Sequence, residues 1–137
     1  MGLRRRAREL ALQLLYQHEL TGAEPERMKA EFEEWAKAPA DAQRFASELV
    51  DGTIANLEEI DAELAAQTAH WRVERLASVD RNILRLALFE LLFCSATPPP
   101  VVLDEAIEIA KKFGSEESHR FVNGVLDGFL KRKSEAV

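Results

Sequence analysis

Residues 78–95, SVDRNILRLALFELLFCS, decide the fold. Wound at 3.6 residues per turn, their apolar side chains Val79, Ile83, Leu84, Leu86, Leu88, Phe89, Leu91, Leu92 and Phe93 cover most of the circumference of a helix, with no alternation of period two. A helix apolar on most sides has to be surrounded by others, so the stretch reads as a central helix from Ser78, its expected N-cap, to about Ser95. It is no membrane span. Its most apolar part, Ile83 to Ala96, is broken by Arg85 and Glu90 and falls short of the roughly 20 residues a bilayer requires.

Outward from this helix the same periodicity recurs. A first helix is expected from Leu3 to about Leu20, with Leu3, Ala7, Leu10, Ala11, Leu14 and Leu15 on one face and Thr21-Gly22 as its stop. Pro25 suits the first turn of a second helix, whose Met28, Phe32 and Trp35 or Ala36 form an inward stripe, and Pro39 ends it. A long helix from about Asp41 to Thr68 follows from Phe45, Leu49, Thr53, Leu57, Ile60 and Leu64, with Gly52 as a tolerated weak point. A short turn from Val73 to Leu76 leads into the central helix. Beyond it, Pro98-Pro99-Pro100 predicts an extended turn. The next helix, Val102 to Phe113, has Asp104 and Glu105 early and Lys111 and Lys112 late, which suits its dipole, and Gly114 is its expected C-cap. Ser115 is then expected to cap a last helix, with Glu116 and Glu117 in its first turn and Phe121, Val122, Val125, Leu126 and Phe129 inward. The chain is therefore read as all-α, about seven helices in a single domain, with no repeat and no linker.

At 137 residues and 47% hydrophobic, such a domain needs neither disulfide nor metal for its core. The lone Cys94 lies in an apolar run and predicts a reducing, cytoplasmic setting. Arginines at 4, 5, 6 and 8 with no long apolar stretch behind them do not make a secretory signal, and Arg6 stands where a myristoylation motif requires Ser or Thr. The net charge of −6 is unevenly spread: residues 22–70 hold twelve acids against four bases, the rest fourteen bases against twelve acids. The acidic middle reads as a solvated face, and the basic character is local.

Two features invite chemistry. Cations in the first turn of a helix oppose its dipole at about 0.3–1 kcal/mol each, so Arg4, Arg5, Arg6 and Arg8 require compensation. Either an anion such as a phosphate backbone meets several guanidiniums there, with Arg4 and Arg8 on one face and Arg5 beside Arg8, or the cluster is a frayed, solubilising end. Phe113 and Phe121 flank the polar stretch Ser115 to Arg120, whose Ser118, His119 and Arg120 could meet phosphate or base edges while a ring stacks on a base. The alternative is that both rings belong to the core. A nucleic-acid face requires at least one of them to be partly exposed. No catalytic or metal-binding constellation is found: His18, His70 and His119 are scattered, Cys94 has no nearby histidine, Glu116 and Glu117 point about 100 degrees apart, and there is no glycine-rich phosphate loop. The chain is not read as an enzyme, and no cofactor is expected.

Three blocks resemble the NusB family of bacterial antitermination factors over nearly the whole chain. They are Arg4-Arg5-Arg6-Ala7-Arg8-Glu9 with Ala11-Leu12-Gln13 and Leu15-Tyr16; Trp71 leading into Arg75-Leu76, Val79-Asp80-Arg81, Ile83-Leu84-Arg85-Leu86-Ala87 and Glu90-Leu91; and Asp104-Glu105-Ala106-Ile107, Ala110-Lys111-Lys112-Phe113-Gly114 and Ser118-His119-Arg120-Phe121-Val122-Asn123-Gly124-Val125-Leu126. The resemblance implies two small packed helical bundles, here about 1–70 and 71–137. It further implies binding of boxA RNA in leader transcripts jointly with the ribosomal protein NusE, in an elongation complex with RNA polymerase that supports ribosomal RNA synthesis. Carried over by motif, the RNA-binding candidates are Arg4, Arg5, Arg6, Arg8, Lys111, Ser118, His119, Arg120 and Phe121, and those for the protein partner are Tyr16, Glu74 and Asp80. Glu117 matches a position bordering the RNA surface. Phe89 departs from the tyrosine frequent in the family, and only three residues precede the arginines. A helical scaffold that binds proteins alone is the other reading.

Overall fold

The computed structural model describes residues 2–68 and 72–135. Among them the chain forms eight α-helices and no strand: α1 (Leu3–Thr21), α2 (Pro25–Glu31), α3 (Glu33–Lys37), α4 (Ala40–Ala55), α5 (Leu57–Gln67), α6 (Ser78–Phe93), α7 (Pro99–Phe113) and α8 (Ser118–Glu135), with one 3-10 turn at Val73–Arg75. The all-α class is as expected. None of these helices is long and apolar enough to cross a membrane. The chain divides into two compact units, Met1–Ala55 and Asn56–Val137.

In the first unit α1 packs on α4. Ala7 and Leu10 of α1 and Ala42 and Ala46 of α4 are fully buried, with Phe32, Trp35, Ala38 and Phe45 packed against them. Three of those four are alanines, whose size lets two backbones approach closely. Leu3 is 46% exposed and does not join the apolar face assigned to it. At the other end Gly22 adopts φ 70, and its N–H donates to the His18 carbonyl at 2.8 Å. Only a residue without Cβ takes that conformation cheaply.

The helix expected after Pro25 is two short helices, because Phe32 is extended (φ −98, ψ 108). The lost ladder is largely made good: Phe32 N–H donates to Lys29, and Trp35 and Ala36 donate to Phe32. The break lets both Phe32 and Trp35 settle on the alanine cluster, and burying a large apolar side chain, about 1.5–3 kcal/mol, outweighs a net backbone hydrogen bond of about 0.5–1.5 kcal/mol. Lys29 is buried beside them; its ammonium reaches Glu26 at 3.0 Å and Asp51 at 3.5 Å and lies 5.4 Å from the Trp35 ring centroid.

In the second unit α5, α7 and α8 surround α6, and Ile83, Leu84 and Leu88 are sealed from solvent. Its expected coverage thins at the C-terminal end, where Phe93 is 42% exposed and leans on Phe89, ring centroids 5.6 Å apart. Ala77, not Ser78, occupies the N-cap position, and Ser78 is already helical. The turn before it is tied down by Arg81, whose guanidinium donates to the carbonyls of Leu76 (2.6 Å) and Val73 (3.2 Å). Arg85 makes a two-pronged bridge to Asp61 on α5, at 2.8 and 2.9 Å, planar fork to planar carboxylate.

Two further expectations are corrected. The helix foreseen over 41–68 breaks at Asn56 (φ −114, ψ 21), not at Gly52. Residues before the break bury Leu49 and Val50 in the first unit and those after it bury Ile60 and Leu64 in the second, so the run serves two cores with one periodicity. The seven expected helices include the short one at Val73 to Leu76, so the two breaks at Phe32 and Asn56 account for the difference from the eight α-helices and one 3-10 turn of the described residues. The prolines, read as an extended turn, instead start α7: Pro98 is its N-cap, and Pro99 and Pro100 fill the first turn, where no N–H is needed.

Glu63 of α5 clasps α8, accepting from Arg132 at 2.7 Å and Lys133 at 3.1 Å. The Arg132 hydrogen bond above all, then Lys133, holds its carboxyl below the ordinary value of 4.5 against the opposing effect of burial. A depressed carboxyl stabilises the fold above its unfolded pKa and loses that contribution as pH falls through the folded one. Both cations are half exposed, so Glu63→Gln should lower stability at pH 7 by no more than about 1 kcal/mol. Urea denaturation should show the two proteins converging as the pH is lowered below the ordinary carboxyl value of 4.5; a difference that does not shrink as the pH falls contradicts the assignment.

Candidate functional site

The candidate residues form two local groups, one in each unit. In the first, α1 begins at Gly2 without a side-chain cap, and its first turn holds no acid. Arg4 is exposed, Arg5 and Arg6 are half-buried, and Arg8 is only 4% exposed. Arg4 and Arg8, one turn apart, lie over the same ring, that of Phe45 on α4, at 4.4 and 5.4 Å from its centroid. Arg6 approaches Glu9 at 3.9 Å. Part of the compensation that these cations require thus comes from within the fold, through the negative face of an aromatic ring and a carboxylate one turn on. Phe45 escaped sequence reading as a functional residue. Its spacing marks it as core, and no local pattern tells which cations stand over a ring 37 to 41 residues away.

In the second unit the C-terminal end of α7 and the start of α8 enclose an open depression of about 470 Å³. Lys111, Gly114, Ser115, Glu116, Glu117, His119 and Arg120 line it. Lys111 and Arg120 are exposed and His119 half-buried. Their acidic neighbours hold them loosely: Lys111 meets Glu108 at 3.4 Å and Arg120 meets Glu117 at 3.7 Å, in exposed pairs of the kind worth about 0–1 kcal/mol. Such pairs exchange readily for a phosphate, whose charge-assisted hydrogen bonds are roughly twice as strong as neutral ones. Phe113 and Phe121 are both half-buried, which meets the requirement for a partly exposed ring, although Phe121 lies outside the lining of the depression.

The turn between the two helices differs from expectation in an informative way. Ser115 does not cap α8, which starts at Ser118, and Glu116 and Glu117 form the turn itself. Ser118 is 2% exposed, and its hydroxyl accepts from the Ser115 N–H at 2.9 Å and pairs with the Ser115 hydroxyl at 3.2 Å. Of the RNA-binding candidates in this unit it is the buried one, holding the turn whose neighbours face solvent. Gly114 is the C-cap foreseen, but for another reason: its backbone is extended (φ −96, ψ −172), open to any residue. What requires glycine is space. A Cβ would collide with the Ser118 side chain and sit 2.8 Å from the Ala110 carbonyl oxygen.

The partner candidates come from both units. Tyr16 is exposed on α1, Glu74 is exposed in the 3-10 turn, and Asp80 stands in the first turn of α6 with Oδ1 buried and no hydrogen bond to it among the described residues. His18 is structural; its ring nitrogen donates to the Ala23 carbonyl at 2.9 Å. His70 and Trp71 lie outside the described residues. Among the described residues no three His, Cys, Asp or Glu side chains could hold a metal ion.

A model of the NusB family matches residues 5–131. The chain belongs to the NusB family. The transcription antitermination protein NusB of Desulfitobacterium hafniense is 48% identical over 127 residues, covering 90% of this chain and 85% of that protein. That of a Geobacter species is 46% identical over 135 residues, 93% of each. Among solved structures, NusB of T. maritima superposes with a TM-score of 0.85 at 38% identity, over 98% of this chain and 97% of that one. A crystal structure of the antitermination factors NusB and NusE in complex with double-stranded RNA matches with a TM-score of 0.86 at 34% identity, over 96% and 98%. The NusB match takes in Lys111 to Phe121, Tyr16, Glu74 and Asp80, and begins at Arg5, one residue beyond Arg4. Phe89 is buried, its ring against that of Phe93.

The close packing at the turn is open to test. Gly114→Ala should lower stability by about 1–2 kcal/mol, an overpacking loss of about 1–3 kcal/mol offset in part by the reduced freedom of the unfolded chain. Chemical denaturation at neutral pH measures it. A Gly114→Ala protein as stable as the parent would mean the turn yields without strain.

Proposed function

We propose that this chain is a transcription antitermination factor that binds boxA RNA of leader transcripts together with the ribosomal protein NusE. It would act in the cytoplasm, on the elongation complex with RNA polymerase, in support of ribosomal RNA synthesis. What carries the reading is the likeness, over nearly the full length of both chains, to a NusB that was solved with NusE and RNA. The geometry supports it with an accessible Arg4, Arg5 and Arg6 at the start of α1 and with the depression flanked by Lys111, His119 and Arg120. Arg8, being buried, contributes charge beneath the surface and not a free guanidinium. Ser118 shapes the turn, and Phe121 offers part of a ring face for stacking.

The test is fluorescence anisotropy of labelled boxA RNA over a salt series with NusE present. Each phosphate contact to single-stranded RNA contributes about −0.7 to the slope of log affinity against log salt. Replacing Arg4 and Arg5 by alanine should flatten the slope by up to about 1.4 and weaken all RNAs alike, since phosphate contacts position without reading sequence. Phe121→Leu should instead weaken boxA by about 1–3 kcal/mol with little change of slope, as the loss of a base stack does. Wild-type affinity and slope in the arginine variant would favour a scaffold that binds proteins alone.

We assign Asp80 to the NusE surface, which suits a carboxylate in the first turn of α6 whose Oδ1 has no donor among the described residues. Asp80→Lys should weaken NusE binding by more than about 1 kcal/mol, through a lost charge-assisted contact and a reversed charge. Calorimetry on the folded variant decides this, and unchanged affinity would remove Asp80 from the interface.

A further inference from the structure

We infer that Phe45 is a positioning residue for RNA binding, acting through Arg4. This rests on the RNA-binding reading above and extends it to a residue of α4 with no motif of its own. The observation is that one ring receives two guanidiniums, Arg4 at 4.4 Å and Arg8 at 5.4 Å, while the same side chain packs against the buried Ala7, Leu10, Ala42 and Ala46. The ring is therefore anchored by the core on one side and offers its face to cations on the other.

That arrangement has a consequence for binding. An exposed arginine at a helix start samples many rotamers, and immobilising it on a phosphate loses that freedom at the moment of association. A guanidinium stacked on a fixed ring is already restricted, and its edge N–H groups remain free to donate while its face is occupied. The ring also offsets the repulsion between two cations one turn apart and between both of them and the helix dipole. Phe45 thus fixes where the exposed cation stands without touching the RNA. Arg8 supplies a second, buried positive charge over the same ring.

A double-mutant cycle tests this, with boxA RNA affinity measured in the presence of NusE for wild type, Phe45→Leu, Arg4→Ala and the double variant. Phe45→Leu keeps an apolar side chain on the alanine cluster and removes the ring. It should weaken RNA binding by about threefold to fivefold, the fold-change matching a partly exposed cation–π contact, with the salt slope retained because Arg4 still reaches its phosphate. In the Arg4→Ala background the same change should have no further effect. Phe45→Tyr, which keeps the ring, should bind as wild type. Equal losses in both backgrounds would make Phe45 a general structural residue and overturn the inference, as would undiminished binding by Phe45→Leu. Should Phe45→Leu fail to fold by circular dichroism, Phe45→Met, closer to phenylalanine in volume, takes its place with the same expectations. RNA binding that depends on Arg4 and is indifferent to the ring defeats this inference alone, whereas wild-type binding by Arg4→Ala defeats the assignment of Arg4 to the RNA as well.

Discussion

The burial of α6 is the constraint from which the second unit follows. A helix apolar around most of its circumference is stable only inside a ring of others, and α5, α7 and α8 supply that ring. Each fully buried leucine, isoleucine or phenylalanine contributes about 1.5–3 kcal/mol, so Ile83, Leu84, Leu86 and Leu88 together dominate any single polar contact in the unit. The polar contacts select geometry instead. Arg85 reaches Asp61 of α5, and Arg81 folds the preceding turn back onto the start of α6. With α7 and α8 both held against α6, the short connection between them has little freedom, and the turn at 114–117 is drawn tight enough to exclude a Cβ at Gly114. The depression and its cations are a by-product of that closure.

In the first unit the corresponding constraint is the alanine-lined contact of α1 with α4. Small side chains bring the helices close, and the close approach places the Phe45 ring under Arg4 and Arg8. An array of cations that is unfavourable for an isolated helix becomes tolerable in this setting. Compensation by a ring differs from compensation by a carboxylate in this respect: it steadies a guanidinium without neutralising it, leaving the charge available to an anion outside. Arg6, which has Glu9 nearby, illustrates the other kind.

Much of this was legible in the chain itself. The helical period of residues 78–95, the stop at Gly22 and the lysines in the last turn of α7 all act over one or two turns, and local rules read them correctly, whereas Asp104 and Glu105 fall beyond the first turn because α7 begins at Pro99. Errors arose where one pattern admits two outcomes. Residues 41–68 keep a continuous helical period across Asn56, because both cores demand apolar residues at the same spacing. Three prolines signal equally a break and a helix start. Ser118 reads as a polar surface residue beside His119 and Arg120, yet its hydroxyl is taken by Ser115.

By itself the sequence determined the all-helical class, most helix ends, the family, and which residue types are available for binding an anion, since these depend on periodicity, capping and motif identity within short spans. Tertiary structure alone decided that Arg8 is buried while Arg4 is exposed, that Gly114 is required for space and not for backbone conformation, and that Phe45 stands beneath two cations. The physical reason is the same in each case. Burial, steric exclusion and cation–π attraction depend on distances between atoms far apart along the chain, and those distances exist only once the helices have packed.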